Sequence, residues 1–342
     1  MDRRRVLLRA GVGASVSVAI TATPLPARSQ AGFPNGPLKI LVPFPPGALT
    51  DNLGRALAER FRLAFGQPVI VENRPGAGTM LAAAQLAKSP ADGHTMMIAT
   101  TTTLAIAPAL FAKPPIKISE LTGVGMIGNV RLFLIVRPDF PARDVKGLIA
   151  QLRSKPATFN YASPGNGTIH HLLMEMLKAR EQVFATHLPY NGSVQAMTDV
   201  ISGRMDFMFI DAAIVMPQVR ADKVRVLAVT GSARSSLAPQ VPAMTEIYPE
   251  LDLQAWQSLV VPVGTPAERI AVLNEELNKS LANAEFNAQL AAVGVESESM
   301  SSSQLNALIM REAPHAAVAA ASTPWHQWWP IVAVRGLVRT LR

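Results

Sequence analysis

Two segments of the chain combine glycine, hydroxyl and carboxyl residues in a way that could bind a small anion. Residues 42–51 read Val-Pro-Phe-Pro-Pro-Gly-Ala-Leu-Thr-Asp, and residues 161–171 read Tyr-Ala-Ser-Pro-Gly-Asn-Gly-Thr-Ile-His-His. Each segment lies where an apolar β-like run turns into a helical run, so the first-turn amides would point outward toward an anion. An ordinary strand-to-helix loop needs the same residue types. Because the chain contains two such loops, we expect them to face each other across a cleft.

His170, His171 and Glu175 are the best candidates for metal ligands, because His171 and Glu175 lie four residues apart on one helical face. A zinc site needs a third protein ligand and usually a pattern such as His-Glu-x-x-His, which the sequence lacks. We therefore expect no metal and no cofactor. Residues 71–78, which read Val-Glu-Asn-Arg-Pro-Gly-Ala-Gly, also lack the spacing of a nucleotide-binding loop and favour a structural turn.

Ser163 could act as a nucleophile, which would make the protein a serine hydrolase. The chain has no Gly-x-Ser-x-Gly elbow, and no pairing of a serine with a base can be read from the spacing. Asp206 and Asp211 lie five residues apart along a β-like run, so they fall on opposite faces of a strand. The sequence favours a protein that is not an enzyme and keeps the hydrolase as an alternative.

The composition excludes a disordered chain and a nucleic-acid-binding protein. The 342 residues are 49% hydrophobic and 16% charged, enough for a large core and for two domains. The formal net charge is +8, but +4 lies in the first 31 residues and +3 in the last eight, so the remainder is nearly neutral. No basic face is left for a phosphate backbone. The absence of cysteine excludes disulfides, a thiol nucleophile and zinc-thiolate sites.

The first 31 residues read as a signal peptide. Several arginines come first, a small and apolar run extends from Ala10 to about Ala22, and a small-residue cleavage site follows, with cleavage expected after Ala31. Residues 4–9, Arg-Arg-Val-Leu-Leu-Arg, resemble the twin-arginine export signal, and the Sec route remains open. A membrane anchor is less favoured, since the apolar run is shorter than the ~20 residues of a spanning helix. The expected location is the periplasm.

Apolar β-like runs alternate with helical runs twice, from Leu38 to about Ala99 and again from about Val145 to Thr230. Such alternation implies parallel sheets covered on both faces, and hence an α/β fold with two lobes. Short β-like runs at residues 132–136 and 259–261 each lead to proline. We expect the chain to cross between the lobes at these two hinge strands, and a cleft between hinged lobes is a preferred site for a small ligand.

A series of ordered motifs between about residues 36 and 310 resembles the Bug family, the substrate-binding proteins of tripartite tricarboxylate transporters. The motifs are Ile40 to Gly47 with Asp51 and Arg55, Gly66 to Gly78, Pro90 to Thr95, Tyr161 to Gly167 with His171, Pro189 to Gly192, Val226 to Thr230 and Pro262 to Pro266. The resemblance implies a two-lobe periplasmic binding protein of the type II-like class with two crossing hinge strands. Together with the βα alternation, it places lobe one at residues 36–137 plus 257–342 and lobe two at residues 138–256.

The resemblance also implies the function and the site residues. The protein would capture a small carboxylate, such as a dicarboxylate, an amino acid or an aromatic acid, and would act as a monomer that delivers it to membrane transporter subunits. A ligand-sensing domain for a membrane kinase shares the fold and stays open as an alternative. The implied ligand contacts of lobe one are Gly47, Ala48, Asp51, Thr101 and Thr102. Those of lobe two are Ser163, Gly165, Gly167, Thr168, His171 and Asp211.

Several residues depart from the family pattern. Ala48 follows Gly47 where the family usually has a second glycine, and Ile210 stands where many members carry aspartate. Ile169 and His170 replace the usual serine or proline before the histidine, and we expect both to contact the far end of the ligand, with His170 favouring a second acidic or polar group there. After about Glu312 the sequence loses the ending that is typical of the family.

Overall fold

The computed structural model describes residues 32–111 and 113–321, so the expected signal peptide and the last 21 residues lie outside the described residues. The strands are β1 (Leu38–Val42), β2 (Val69–Asn73), β3 (Thr95–Thr100), β4 (Leu121–Val130), β5 (Leu132–Val136), β6 (Asn160–Ser163), β7 (Thr186–Pro189), β8 (Phe207–Asp211), β9 (Arg225–Val229), β10 (Ala255–Pro262) and β11 (Val295–Ser297).

The helices connect these strands and cover the sheets. They are α1 (Leu49–Phe65), α2 (Met80–Ala87), α3 (Ala107–Leu110), α4 (Val145–Ser154), α5 (Ile169–Glu181), α6 (Ser193–Ile201), α7 (Ala212–Arg220), α8 (Met244–Ile247), α9 (Ala267–Ala282), α10 (Ala284–Ala292) and α11 (Ser302–Ala321). Short 3-10 turns occupy Ala77–Thr79 and Ile118–Glu120, and a π-helical turn occupies Thr102–Ile106. Within the described part of the chain, no helix is both long and apolar enough to cross a membrane.

The described strands form two mixed sheets. The first has the order β11-β4-β10-β3-β1-β2, and the second has the order β7-β6-β8-β5-β9. The strands joined by βα units pair in parallel, as expected: β1 with β2 and β3, and β6 with β7 and β8. The strands at the lobe crossings are antiparallel to their neighbours, as β10 is to β3 and β4 and as β5 is to β8 and β9. The fold is thus α/β with two lobes, as predicted.

Sheet membership differs from the expected lobe boundaries. The chain leaves the first sheet at Val130 and enters the second at Leu132, which pairs with Asp211. Residues 132–136 therefore hydrogen-bond in the second sheet, although the expected boundary put them in lobe one. On the return, Ala255 already pairs with Val130 in the first sheet. The apolar pattern of a strand shows that it is buried but does not show which sheet it joins.

The C-terminal helices pack on the first lobe, as the crossing topology requires. Leu305 and Ile309 of α11 are buried in the same apolar cluster as Trp256 of β10. Asn274 of α9 donates a hydrogen bond from Nδ2 to the carbonyl of Val124 in β4 at 2.8 Å. The segment after the return crossing therefore completes the first lobe.

Candidate functional site

The first strand-to-helix loop ends at α1, whose N-terminal amides are left unused by the helix. Ala48 is the N-cap, with extended backbone angles (φ −68°, ψ 160°), and its carbonyl accepts the first intrahelical hydrogen bond from Asn52 at 3.1 Å. The amides of residues 49–51 precede that bond, so they are available to a ligand. Ala48 stands where the family usually has a second glycine, and α1 nevertheless begins directly after it.

The carboxylate of Asp51 holds this loop in place. It accepts hydrogen bonds from the Gly47 amide (2.9 Å), from Arg55 Nε (3.0 Å) and from Asn73 Nδ2 (2.9 Å), and Asn73 also donates to the carbonyl of Phe44 (2.9 Å). Burial raises the pKa of Asp51, but the hydrogen bonds from Arg55, Gly47 and Asn73 outweigh burial, and the pKa is lowered overall. The carboxylate organises the loop through these bonds.

The second loop ends at α5 and is tied directly to the first lobe. Thr168 is the N-cap, and its Oγ1 accepts from the His171 amide (3.4 Å) and donates to the Gly165 carbonyl (2.9 Å). The Ile169 amide, which no intrahelical bond uses, donates to Oγ1 of Thr102 at 3.1 Å. A backbone donor of one lobe thus meets a side-chain acceptor of the other.

Thr101 connects the loop after β3 to the start of β10. Its Oγ1 accepts from the Trp256 amide at 2.9 Å and donates to the Gln254 carbonyl at 3.2 Å. Next to it, Gln257 Nε2 donates to Thr50 Oγ1 at 3.2 Å. These hydroxyls bring the start of α1, the loop after β3 and β10 together at the lobe interface.

These elements line a small cavity with a volume of about 30 Å³. The starts of α1 and the π-helical turn line it from the first lobe, and the starts of α5, α6 and α7 line it from the second. Its lining residues are Phe44, Ala48, Leu49, Thr50, Thr100, Thr101, Thr102, Val130, Leu132, Ile169, His170, Ser193, Asp211, Ala255, Trp256 and Gln257. The ionisable side chains of this lining are those of His170 and Asp211.

His170 and Asp211 lie side by side in the cavity wall. His170 is 6% exposed, and neither of its ring nitrogens has a hydrogen-bond partner among the described residues. Its Nε2 lies 3.4 Å from Oδ1 of Asp211, outside hydrogen-bond geometry. The other carboxylate oxygen, Oδ2, accepts from the Ser193 hydroxyl at 3.3 Å. The cavity wall therefore carries polar atoms whose hydrogen-bonding capacity is not used by the part of the chain that the structure describes.

A larger cleft of about 1290 Å³ adjoins the small cavity, and Phe44 lines both. Its walls come from both lobes, from residues 75–79 and 110–111 in the first and from residues 164–168 and 183–187 in the second. Lys178 and Glu175 also line this cleft, and they pair with each other at 2.5 Å.

A buried polar cluster lies in the wall of this cleft, which His171 and His187 also line. The Tyr161 hydroxyl donates to Glu175, the rings of His171 and His187 stack with centroids 3.8 Å apart, and Ser163 Oγ lies 2.7 Å from His187 Nε2. Burial, His187 and Lys178 hold the pKa of His171 well below its usual value, and burial and Lys178 lower the pKa of His187 to about 3. Among the described residues, no group of His, Asp and Glu could hold a metal ion.

Comparison with known proteins identifies the family. The family model described as "Tripartite tricarboxylate transporter family receptor" matches residues 53–318. The chain belongs to this receptor family. BugT of Bordetella pertussis is 34% identical over 284 residues, which cover 82% of this chain and 86% of BugT. The Bug resemblance read from the motifs is thereby confirmed.

Two solved structures with 27% and 28% sequence identity share the fold of this chain. The R. palustris protein Rpa4515, solved with adipate, has a TM-score of 0.82 and 28% identity, with 85% of this chain and 98% of that chain covered. MatC from Rhodopseudomonas palustris, solved with bound malate, has a TM-score of 0.80 and 27% identity, with 84% and 99% covered. The receptor family is one of solute-binding proteins, and this chain shares that binding role.

The predicted ligand residues of the receptor fall into three groups. Ala48, Thr101, Thr102 and Asp211 line the small cavity. Gly165, Gly167, Thr168 and His171 line the larger cleft. Gly47, Asp51 and Ser163 stand outside both linings and make hydrogen bonds within the loops.

Other lining residues of the small cavity were not among the predicted contacts. Ser193 starts α6 directly after the motif Pro189 to Gly192, so the rule that selected the other two loops could have found it. Gln257 could not be found in that way, because its position depends on the pairing of β10 with β3 and β4. His170 was expected at the far end of the ligand, and it lines the small cavity beside Asp211.

Proposed function

We propose that this receptor binds a small carboxylate in the small cavity and delivers it to the membrane subunits of a tripartite tricarboxylate transporter. The observation that carries the proposal is the convergence of helix starts from both lobes on one cavity, α1 from the first and α5, α6 and α7 from the second. A helix N-terminus favours an anion by ~0.3 to 1 kcal/mol when exposed and by up to ~2 kcal/mol when partly buried. The helix starts thus supply positive potential in a lining that has no arginine or lysine.

The energetics allow useful affinity without a cationic side chain. A hydrogen bond to a charged group contributes ~1.5 to 3 kcal/mol, and micromolar binding requires roughly −8 kcal/mol. A few amide and hydroxyl contacts from the helix starts therefore suffice. The adipate and malate held by the two similar structures are carboxylates, which supports the same ligand class here.

Ligand entry requires the lobes to move apart. The cavity lies between the lobes and has a free volume of about 30 Å³, so a small acid enters when the lobes separate, and the part of it that does not fit the cavity extends into the adjoining cleft once they close. We place the hinge at Arg131, between β4 and β5, and at the segment between α8 and β10. Arg131 donates to Glu296 of the first lobe (2.9 Å) and to the Thr230 carbonyl of the second lobe (3.2 Å). Its side chain therefore links the two lobes where the chain crosses between them. Hinge closure around a ligand is the common behaviour of two-lobe binding proteins.

We infer that the receptor is not a hydrolase, although Ser163 lies next to His187. The Ser163 hydroxyl is fully buried and donates to the Gly165 carbonyl at 3.0 Å. A nucleophile needs access to its substrate and a base that takes its proton. A chromogenic ester should remain intact with the wild-type protein, and esterase activity that disappears in Ser163→Ala would overturn this inference.

We also propose that the receptor is a periplasmic monomer exported by the twin-arginine route. The similar solved proteins include one described as a periplasmic binding protein, BugD, which supports the location. Replacing Arg4 and Arg5 together by lysine should leave the precursor in the cytoplasm if the twin-arginine route is used. Normal export of the double variant would point to the Sec route.

Thermal-shift measurements with mono- and dicarboxylic acids, each compared with its amide, test the binding role. A bound acid should raise the melting temperature in line with RT ln(1 + [L]/Kd), and the amides should not. Ala48→Leu adds bulk to the cavity wall and should abolish the shift, whereas Ala267→Leu, an exposed change in the first turn of α9, should preserve it. Equal shifts by acids and amides, or a normal shift in Ala48→Leu, would refute the assigned site.

A further inference from the structure

We propose that the ligand of the small cavity carries a hydroxyl or ammonium group beside its carboxylate, and that Asp211 accepts a hydrogen bond from this donor. The proposal rests on the proposed function and narrows its ligand class to hydroxy acids and amino acids. It is derived from Asp211, His170 and Ser193, which share one wall of the cavity.

The Asp211 carboxylate has acceptor capacity to spare. Asp211 is 8% exposed, and although it is the N-cap of α7, its side chain makes no capping hydrogen bond. A carboxylate can accept about four hydrogen bonds, and the Ser193 hydroxyl supplies a bond to Oδ2 at 3.3 Å. Oδ1 faces His170 Nε2 at 3.4 Å without hydrogen-bond geometry. A ligand donor at Oδ1 would use this capacity.

The His170 side chain provides a second, independent sign of a ligand at this wall. Both of its ring nitrogens are buried and lack a hydrogen-bond partner among the described residues. Buried polar groups in native proteins are usually hydrogen-bonded, and leaving one unpaired is unfavourable. A neutral imidazole offers one donor and one acceptor, so it can pair with a hydroxyl or with an ammonium group.

The charge of this wall selects the kind of group that fits. Asp211 is the acidic residue of the lining, and the lining contains no lysine or arginine to offset it. A second ligand carboxylate next to Asp211 would be repelled, as like charges are. An ammonium group would be attracted and a hydroxyl would be accepted. A site that accepts a hydrogen bond from a ligand donor binds an analogue without that donor more weakly, because the buried polar atoms of the site then stay unpaired.

Calorimetric titration with sets of acids of equal carbon number tests the proposal. The sets are propionate, lactate and alanine, then succinate, malate and aspartate, then glutarate, 2-hydroxyglutarate and glutamate. In the best-bound set, the hydroxy or amino acid should bind at least tenfold tighter than the unsubstituted acid. Within each set, comparison of the amino acid with the hydroxy acid shows whether an ammonium or a hydroxyl group is the preferred donor. Tightest binding of the unsubstituted acid would overturn the proposal while leaving the binding role intact, and no binding by any acid would overturn both.

Variants place the preference on Asp211. Asp211→Asn should reduce the preference for the donor-bearing acid at least fivefold and should bind the unsubstituted acid as well as or better than the wild type. Asp222→Asn, an exposed change just beyond the other end of α7, should leave the preference unchanged. The preference of the wild type is measured without any variant, so the proposal stays falsifiable if Asp211→Asn does not fold. An unchanged preference in folded Asp211→Asn would remove Asp211 from the proposal.

Discussion

The backbone amide of Ile169 in the second lobe donates a hydrogen bond to the side-chain hydroxyl of Thr102 in the first lobe, at 3.1 Å. This bond joins the first turn of α5 to the π-helical turn after β3 at the edge of the small cavity. Because the bond joins the two lobes, their separation would break it, and its loss should lower the population of the closed form.

We therefore expect Thr102→Val, which keeps the side-chain shape, to weaken ligand affinity by about 2- to 12-fold. A typical hydrogen bond contributes about 0.5 to 1.5 kcal/mol, which gives this range. Calorimetric titration with the best ligand of the screen measures the change. Thr198→Val, at an exposed position of α6, is the matched control and should bind like the wild type. Unchanged affinity in Thr102→Val would show that the bond does not contribute to closure.

Asp51→Asn should destabilise the folded protein by roughly 1 to 3 kcal/mol. The change replaces an ionised acceptor that holds Gly47, Arg55 and Asn73 with a neutral amide, and it turns amide hydrogens of a buried side chain toward one of these donors. Urea denaturation gives the free energy of unfolding. Glu59→Gln breaks an exposed ion pair with Arg62 on the same helix and should have an effect close to zero. Equal effects of the two changes would argue against a structural role for Asp51.

Gly78→Ala should weaken ligand binding more than its effect on stability would suggest. Gly78 has φ +56°, and a Cβ there would lie 3.0 Å from the backbone carbonyl oxygen of Asn166 in the other lobe. Gly66→Ala is the control, because Gly66 has φ +65° and open space around it. Both changes should cost about 1 kcal/mol in unfolding free energy from the left-handed backbone. Only Gly78→Ala should also lower affinity, and equal affinity in both variants would exclude a steric role in closure.

Acid should destabilise the protein through the stacked histidines. The pKa of His187 is about 3 in the folded protein and about 6.5 in the unfolded chain, so between these values the unfolded chain binds the extra proton. The stabilising contribution is therefore complete above pH 6.5 and falls as the pH drops toward 3, by up to ~1.4 kcal/mol per pH unit for one histidine.

His187→Gln should flatten this decline between pH 6.5 and 5. Unfolding free energies from urea titrations at pH 5, 6 and 7 provide the slope for each protein. Thr198→Val, an exposed change that removes no titratable group, serves as the control, with a slope like that of the wild type. A wild-type slope in His187→Gln would mean that this histidine is not responsible for the acid sensitivity.

The sequence by itself determined the local elements and the family. The loops at residues 42–51 and 161–171 follow a strand and begin a helix, as their glycine and hydroxyl residues predict, because these choices depend on neighbours along the chain. The alternation of apolar strands and helices gave the two α/β lobes for the same reason. The prediction of parallel sheets from this alternation was wrong for β5 and β10, which join their sheets as antiparallel strands.

Only the tertiary structure decided which of these loop residues share a cavity. Asp51 and Thr102 were both predicted to contact the ligand. The Asp51 carboxylate instead accepts hydrogen bonds from Gly47, Arg55 and Asn73, whereas Thr102 lines the small cavity. Gln257 joins that lining from a strand that returns after the whole second lobe. Such placements depend on the register of distant strands and on competition among donors, and neither is encoded in the spacing of residues along the chain.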